Sequence, residues 1–271
     1  MFALIKYYIY ICANINNITA LKMIITFVNN KGGVGKTTTA VNVAHALTIE
    51  GKRVLLIDLD RQRNASFIMG YDDSESNIFD ALAAKVDIPI YAHDQIENLH
   101  YSPAGSIDIE AVLLLQRIGR ESKLKKLLDP IKHAYDYILI DCPPSLGMIT
   151  LNALVASDKL IIPIQLEPFA FLGTSEIANF FSDVKKEINN QLEILGYLKT
   201  LYDSRLSQTR DIEELLSKHV NKNKIFNSTI RKNVALSEAS NMQQTIFEYA
   251  PESTGAKNYK DFTKEIIQLT K

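Results

Sequence analysis

The chain has 271 residues, of which 46% are hydrophobic and 23% are charged, so it can bury a sizeable core and has no compositional sign of disorder. Its 30 Lys and Arg against 31 Asp and Glu residues give a net charge of −1, which excludes a globally basic nucleic-acid-binding protein but allows a local basic patch. Two cysteines, Cys12 and Cys142, are too few for a disulfide framework, so we expect a reducing, cytoplasmic compartment.

The first 22 residues begin with an apolar run, residues 2–13, that is too short for a transmembrane helix, which needs about 20 apolar residues. Lys6 interrupts the run, and no clear cleavage site for a secretory signal follows it. Met23 stands directly before the first convincing strand. Residues 1–22 are either an extension with no part in the fold or a docking segment. We predict the first, with a single domain over residues 23–271.

From Met23 onward, short apolar runs rich in β-branched residues alternate with longer stretches of helical period. The short runs lack strict polar alternation, which favours strands that are buried on both faces of a sheet. The sequence therefore predicts an α/β fold, with a mostly parallel twisted sheet and helices on both of its faces.

The predicted strands are residues 24–28, 53–58, 137–141, 159–164 and 193–201. The predicted helices are residues 36–50, 109–118, 121–133, 148–156, 175–189, 211–219 and 256–270. The acidic and irregular segment 71–100 is predicted to be an insertion.

A glycine-rich segment, residues 30–38 (NKGGVGKTT), lies between the first predicted strand and the first predicted helix. Its glycines allow backbone N–H groups to turn toward an anion, and the helix that follows presents its positive end. Lys36 adds a mobile positive charge, and Thr37 is placed to put its hydroxyl on Mg²⁺. The segment therefore predicts a phosphate-binding loop, as in P-loop NTPases.

The loop differs from the common G-x-x-x-x-G-K-[ST] pattern, because Asn30 replaces the first glycine and Lys31 opens the glycine run. In this it resembles the deviant Walker A ATPases, whose loop reads K-G-G-x-G-K-[ST], and among them the Soj/ParA partition ATPases of bacterial plasmids and chromosomes. Further segments similar to that family follow in order: LLIDLDRQRNAS at 55–66, YDYILIDCPPSL at 135–146 and TLYDSR at 200–205.

The resemblance implies a role for each matching residue, with ATP and Mg²⁺ as cofactors. Lys31 would cross the interface of an ATP-dependent homodimer, Lys36 would be the loop lysine, and Asp60 would position or activate the attacking water. Nucleotide contacts are implied for Lys31, Gly32, Gly33, Val34, Gly35, Lys36, Thr37, Thr38 and Asp203. Magnesium contacts are implied for Thr37, Asp58 and Asp141. Carboxylates at the carboxyl ends of parallel strands are also expected beside such a loop on physical grounds.

Two arginines depart from the family pattern near the attacking water. Arg61 and Arg63 stand where the family usually has Pro and often has Gly. Losing these residues removes a fixed φ angle and a permissive turn, so we expect an altered loop and an uncertain hydrolysis rate. A non-hydrolysing, nucleotide-gated scaffold is therefore an alternative to the ATPase.

Basic residues near the C-terminus favour a partition protein. The resemblance implies that Arg205, Arg231 and Lys232 contact DNA without sequence preference, which would place the protein at the nucleoid with a ParB-type centromere-binding partner. A MinD-like positioning ATPase is a further alternative, since MinD-like proteins end in a membrane-binding helix. Residues 262–269 have only a short apolar face, which we expect to pack on the domain, so no stable membrane association is expected. The five histidines show no metal-ligand spacing, and Cys142 is expected in the core.

Overall fold

The structure is a computed structural model that describes residues 23–72, 75–83, 86–105, 119–167, 170–203, 205 and 207–271, with the backbone alone at 170–174 and 207–210. The N-terminal segment 1–22, with Cys12, and the predicted helix 109–118 lie outside the described residues.

Eight strands of the described chain form one sheet in the order β3-β4-β2-β5-β1-β6-β7-β8. The strands are β1 (Met23–Phe27), β2 (Val54–Asp58), β3 (Tyr91–Ala92), β4 (Leu99–Ser102), β5 (Tyr137–Asp141), β6 (Lys159–Gln165), β7 (Glu193–Tyr202) and β8 (Ile225–Arg231). Every neighbouring pair is parallel except β3 with β4. The predicted α/β fold with a mostly parallel sheet is therefore confirmed.

The α-helices of the described chain connect these strands. They are α1 (Lys36–Ile49), α2 (Asn64–Ile68), α3 (Ile78–Leu82), α4 (Lys123–Leu128), α5 (Met148–Ala156), α6 (Ala170–Glu187), α7 (Ser207–His219), α8 (Val234–Asn241), α9 (Ile246–Tyr249) and α10 (Thr254–Leu269). Short 3₁₀ turns occupy Arg120–Ser122, Lys132–Ala134 and Lys222–Lys224.

Both faces of the central strands are buried, and successive residues of a strand enter different cores. In β2, Leu56 packs in the core with α1 and α10, whereas Leu55 and Ile57 pack in the core beneath α3, α4 and α5. Because neither face meets water, polar residues are not needed at alternate positions. This explains why these strands appear in the sequence as continuous apolar runs.

Two predictions about the fold were wrong. The segment 71–100 is not an irregular insertion, because it contains α3 and β3 and the start of β4, which pairs with β2 in the main sheet. The helix predicted over 121–133 is also interrupted: α4 ends at Leu128, and Ile131 N donates to Leu128 O, a three-residue step. Pro130 lacks the amide that would have continued the four-residue ladder.

The C-terminal helix α10 packs against α1 and the outermost strand β8, as expected for the apolar face of residues 262–269. Tyr259, Phe262 and Ile266 are at most 1% exposed, and the Phe226 and Phe262 rings meet edge to face with centroids 4.9 Å apart. Among the described helices, none is long and apolar enough to cross a membrane.

Candidate functional site

The glycine-rich loop joins β1 to α1 and is held in place by its neighbours. Gly33 and Gly35 have φ angles of 74° and 82°, a left-handed conformation that favours glycine. The hydroxyl of buried Thr200 on β7 donates to Val34 O over 2.8 Å. No side chain caps the N-terminus of α1, and its first turn contains no acidic residue. The positive end of α1 and the loop amides are therefore available to an anion.

Lys36 is the first residue of α1 and is only 6% exposed. Its Nζ donates to Lys31 O over 3.0 Å. Burial lowers the pKa of Lys36, and the nearby carboxylates of Asp141 and Asp60 counteract that effect in part. Lys36 is thus a largely desolvated cation, whose attraction for an incoming phosphate is stronger than it would be in water.

Asp58 and Asp141 lie directly opposite each other, in register at the carboxyl ends of β2 and β5, and both are buried. Asp58 has hydrogen-bond partners on both oxygens: Asp60 N donates to Oδ1 over 2.9 Å, and Ser66 N and Oγ donate to Oδ2 over 2.9 and 2.7 Å. Burial nevertheless raises the pKa of Asp58 to about 6. These bonds make Asp58 the support of the loop that follows β2.

Asp141 differs from Asp58, because neither of its buried carboxylate oxygens has a hydrogen-bond partner within the described chain. Burial is the main cause that raises the pKa of Asp141 well above the usual value, and the negative charge of Asp58 adds to it. The Thr37 hydroxyl approaches closely enough to offset this in part, although not in hydrogen-bond geometry. A buried carboxylate without donors is costly unless a cation compensates it, so Asp141 and Thr37 fit a magnesium ion.

Asp60 begins the turn after β2 and is 6% exposed. Its Oδ1 accepts from Gln62 N over 3.0 Å, and no described group donates to Oδ2. One carboxylate oxygen is thus fixed while the other is available.

The turn after Asp60 forms in spite of the arginine substitutions. Arg63 has a φ angle of 58°, so it adopts the left-handed conformation for which glycine is usual, and its N donates to Asp60 O over 2.8 Å. This conformation costs a non-glycine residue about 1–2 kcal/mol. The expected alteration of the loop is therefore limited to a strained Arg63, and the turn itself is kept.

A cleft of about 520 Å³ lies over the loop. Of the residues predicted from the sequence, those that line it are Gly32, Gly33, Gly35, Lys36, Thr37, Thr38 and Asp60. Residues without a predicted role complete the wall: Gln62, Asn64, Phe67, Ile68, Pro144, Leu201, Ser240 and Asn241. Phe67 and Leu201 are 49% and 37% exposed, so the cleft has an apolar side that suits a flat organic ring.

Leu201 has a φ angle of 49°, which is rare for a large side chain and lies where the pairing of β7 with β8 shifts register. No sequence signal predicts this conformation. Gln62 and Asn64 belong to the segment 55–66 that carries the family resemblance, so their neighbourhood was indicated. Nothing in the sequence pointed to Phe67, Ser240 or Asn241.

Three residues with predicted nucleotide contacts, Lys31, Val34 and Asp203, do not line the cleft. Val34 is buried in the loop. Lys31 pairs with Glu167 of the same chain, with Nζ 2.5 Å from Oε2, and both side chains are nearly half exposed. Asp203 is paired with Arg205, whose Nε and Nη2 donate to its two oxygens over 2.9 and 2.6 Å. These bonds hold the pKa of Asp203 below its usual value.

The three predicted DNA contacts lie at one end of the molecule. Tyr202 at the end of β7 pairs with Arg231 at the end of β8, and Lys232 N donates to Tyr202 O over 3.1 Å. Arg205 follows three residues after Tyr202 and is 86% exposed. Arg231 and Lys232 are exposed as well. The structure thus collects three cations at the carboxyl ends of β7 and β8.

Two of the histidines contact neighbouring hydroxyl groups, and Cys142 lies in the core, so these three residues have structural roles. His45 Nδ1 lies 2.6 Å from Thr245 Oγ1, and His100 Nδ1 lies 2.9 Å from the Tyr135 hydroxyl. Cys142 is fully buried, as expected from its place after β5. Burial raises the pKa of its thiol well above the usual value, which makes it unreactive.

Known proteins similar to this chain match most of its length. The family model described as AAA domain matches residues 22–194. The sporulation initiation inhibitor protein Soj of Bacillus subtilis is 42% identical over 250 residues, covering 90% of this chain and 97% of the relative. The chromosome-partitioning ATPase Soj of Treponema pallidum is 39% identical over 246 residues, covering 90% and 96%.

Among the solved structures similar to this chain are two with a bound ATP analogue. A putative plasmid partition protein from Borrelia burgdorferi bound to AMPPNP has a TM-score of 0.76 and 28% identity, covering 92% of this chain and 99% of that chain. Cobyrinic acid a,c-diamide synthase from Mycobacterium smegmatis, with a bound ATP analogue and magnesium, has a TM-score of 0.78 and 32% identity, covering 92% and 95%. The stretch matched by the family model includes the loop 30–38, Asp58, Asp60 and Asp141.

Proposed function

We propose that this chain, which belongs to the Soj/ParA family of chromosome-partitioning ATPases, is an ATP-driven switch in DNA partition. ATP with Mg²⁺ would join two copies into a dimer, the dimer would bind DNA without sequence preference at the nucleoid, and hydrolysis would release it. A ParB-type partner would stimulate the hydrolysis. The observation that carries this proposal is the cleft, which is lined by the uncapped end of α1 and by the desolvated Lys36. Beside Lys36 lies the buried Asp141, whose carboxylate oxygens have no hydrogen-bond partner within the described chain.

Nucleotide binding rests on complementary charge and shape. The loop amides, the N-terminus of α1 and Lys36 would hold the phosphates, since each presents positive charge to the cleft. Phe67 and Leu201 would contact the apolar ring of the base. Two similar structures hold an ATP analogue, one of them with magnesium, which supports the same ligands here.

Magnesium would be held by the Thr37 hydroxyl and by Asp141, directly or through water. When bound, the ion would neutralise the negative charge that develops on the phosphate oxygens. Asp58 contributes by fixing the backbone at Asp60 and Ser66, because its oxygens already accept three hydrogen bonds. Because the oxygens of Asp58 already have hydrogen-bond donors, Asp141 is the carboxylate whose charge needs a cation.

Hydrolysis would depend on Asp60. Its Oδ1 is fixed by Gln62 N, so Oδ2 is oriented and available to accept a hydrogen bond from the attacking water. Lys36 would compensate the charge on the transferred phosphoryl group. Phosphoryl transfer depends mainly on positioning and charge compensation, and these two residues supply both.

Lys31 would act between two chains. Lys36 would already serve the phosphates of its own loop, whereas Lys31 is exposed and, within the described residues, forms an ion pair with Glu167. In the dimer it would exchange this carboxylate for the phosphates bound by the second copy. The nucleotide would then be shared between two chains, which makes dimerisation depend on ATP.

The non-hydrolysing scaffold stays the second candidate, because Arg63 is strained in the turn next to Asp60. A phosphate-release assay separates the two functions when wild type is measured alone, with duplex DNA, and with DNA and the partner together. Phosphate release above background that requires Asp60 supports the ATPase. ATP-dependent dimerisation and DNA binding with no release under any condition would favour the scaffold.

A further inference from the structure

A second cavity, of about 750 Å³, lies at the opposite edge of the sheet from β8, where the hairpin of β3 and β4 meets the segment after α2. Its lining contains three tyrosines, Tyr71, Tyr91 and Tyr101. The Tyr91 ring neighbours both of the others, with its centroid 6.0 Å from that of Tyr71 and 5.8 Å from that of Tyr101. Of the described residues, none lines both this cavity and the nucleotide cleft. We call it the tyrosine cavity.

Two of the three tyrosine hydroxyls are bound to one stretch of backbone, which fixes their rings. The Tyr71 hydroxyl donates to Glu75 O over 2.5 Å, and the Tyr91 hydroxyl donates to Ser76 O over 2.9 Å. Tyr101 differs, because it is only 9% exposed and its hydroxyl has no hydrogen-bond partner within the described chain. A buried hydroxyl without a partner is costly, so a ligand that donates to the Tyr101 oxygen relieves this cost.

Three carboxylates that line the tyrosine cavity have no counter-ion. They are Glu75, Asp94 and Glu97, and all three are exposed. None of them forms an ion pair within the part of the chain that the structure describes. No lysine or arginine is among the described lining residues, and burial lowers the pKa of the two lining histidines, His93 and His100, so both are mainly neutral at pH 7. The cavity is therefore negatively charged.

The phenol groups of the cavity respond to this negative charge. Burial first, and then the carboxylates of Asp94 and Glu75, raise the pKa of Tyr101 to about 12. Burial and the charge of Glu75 also raise the pKa of Tyr91 above its usual value. The hydroxyls therefore stay protonated, and the rings present neutral aromatic faces in a negative potential. Such faces attract organic cations.

We propose that the tyrosine cavity binds an organic cation with more than one positive charge, of the diamine or polyamine class. Its ammonium groups would bind the carboxylates, its alkyl chain would pack on the tyrosine rings, and one N–H would donate to the Tyr101 hydroxyl. Lysine side chains of a peptide carry the same ammonium chemistry, so the experiment distinguishes these two sources. The inference does not depend on the proposed function, since the cavity is separate from the nucleotide cleft.

A metal ion fits the tyrosine cavity less well than an organic cation does. A divalent ion needs several oxygen ligands that converge within about 2.6 Å. Among the described residues, no group of three or more Asp, Glu, His or Cys side chains is placed to hold one. The volume is that of a site for a small organic molecule, typically about 300–1,000 Å³. The tyrosine rings can cover an alkyl chain, which a hydrated metal ion lacks.

The test is isothermal titration of the full chain with cadaverine, a linear diamine, at constant ionic strength. Nucleotide is left out, because amines also bind the phosphates of ATP. We expect one site per chain, and at least about tenfold weaker binding of pentanediol, the neutral analogue of the same chain length. The double variant Glu75→Gln/Asp94→Asn is expected to lower the affinity for cadaverine at least about tenfold, because it removes two charged acceptors. Tyr101→Phe, which removes only the unpaired hydroxyl, is expected to lower it about threefold.

The matched control is Glu252→Gln/Asp261→Asn, which removes two exposed carboxylates at and just before α10, the helix that packs on β8 at the other edge of the sheet. It is expected to bind cadaverine as wild type does. Far-UV circular dichroism and the affinity for Mg-ATP show that each variant is folded and that its nucleotide cleft is intact.

A short peptide of glycine and lysine is titrated in the same way. If the peptide binds and cadaverine does not, and the Glu75→Gln/Asp94→Asn variant weakens the peptide, the site stands and its ligand is a peptide side chain. Binding of neither probe overturns the inference. Equal affinity for cadaverine and pentanediol, or an equal loss in the control variant, overturns it also, because binding is then apolar or non-specific. These outcomes leave the proposed function standing, whereas wild type that binds no Mg-ATP overturns that function alone.

Discussion

The Lys31 ammonium lies 2.5 Å from Glu167 Oε2 of the same chain, and the two side chains are 47% and 44% exposed. An ion pair as exposed as this one contributes at most about 1 kcal/mol. Phosphate anions on a second chain can therefore replace the carboxylate at little cost. The pair gives Lys31 a partner in the single chain without fixing it there.

Replacing Lys31 by alanine is expected to spare nucleotide binding and to prevent ATP-dependent dimerisation, because Lys36 and the loop amides remain in place. Sizing chromatography with ATP and with ADP measures this, alongside the affinity for a fluorescent ATP analogue. A normal ATP dimer of Lys31→Ala would remove the role of Lys31 at the interface.

Glu167→Gln is the control for this variant, since it removes the same ion pair but keeps the lysine. It is expected to dimerise with ATP at least as well as wild type. If Glu167→Gln fails to dimerise as Lys31→Ala does, the ion pair within one chain is what dimerisation needs.

Lys36→Ala is expected to abolish ATP binding, because the phosphates would enter a largely desolvated cleft without a compensating cation. Lys125→Ala, which removes an exposed lysine on α4, is the control and should bind as wild type does. Isothermal titration with Mg-ATP measures both. Unchanged affinity in Lys36→Ala would contradict the assignment of the loop.

Asp60→Ala is expected to leave a long-lived ATP dimer with phosphate release lowered at least about a hundredfold, the range typical of a lost general base. Asp60→Asn can keep the hydrogen bond from Gln62 N while losing the basic oxygen, so it separates loop structure from chemistry. Both variants should bind ATP normally. Release at the wild-type rate in Asp60→Asn would exclude a base at this position.

The central strands and the phosphate loop were predictable because their signals are local. A buried parallel strand appears as a continuous apolar run, and the glycines of the loop stand between a strand and a helix. Strand β8 was missed, since only some of its residues face the core and the segment IFNSTIR mixes polar with apolar residues. β4 was missed for a similar reason, because His100 and Ser102 interrupt its apolar pattern.

Where one motif contains the predicted site residues, the sequence anticipated which of them lie together; where distant segments meet, it did not. Lys36, Thr37 and Asp60 were placed at one cleft, as expected. The link between Lys31 and Glu167 joins residues 136 positions apart, and nothing in either segment predicts it. Asp203 was also predicted at the nucleotide; it accepts two hydrogen bonds from Arg205, and its role at the nucleotide stays a prediction.

The contribution of His45 to the stability of the protein is expected to fall as the pH decreases from 7 to 5. Burial lowers the pKa of His45 to about 4, while in the unfolded chain it is near 6.5. Between these values the unfolded chain binds a proton that the folded chain does not, so stability present above pH 6.5 is lost as the pH falls.

His45→Gln is expected to reduce this loss by about 1–2 kcal/mol at pH 5. The exposed His133→Gln serves as the control and should leave the loss unchanged. Urea unfolding at pH 5 and pH 7 measures the difference for each variant. The same pH dependence in His45→Gln and wild type would show that other groups cause the loss.

DNA binding by the ATP dimer is the central claim, and the salt dependence of that binding tests it most directly. Wild type and Lys232→Ala are each titrated with a random duplex, in ATP and in ADP, at several salt concentrations. We expect binding only with ATP, no preference among sequences, and a slope of log affinity against log salt lower by up to about 1.8 in Lys232→Ala, for two contacts per dimer. Equal affinity in ATP and ADP, or an unchanged slope in the variant, would contradict it.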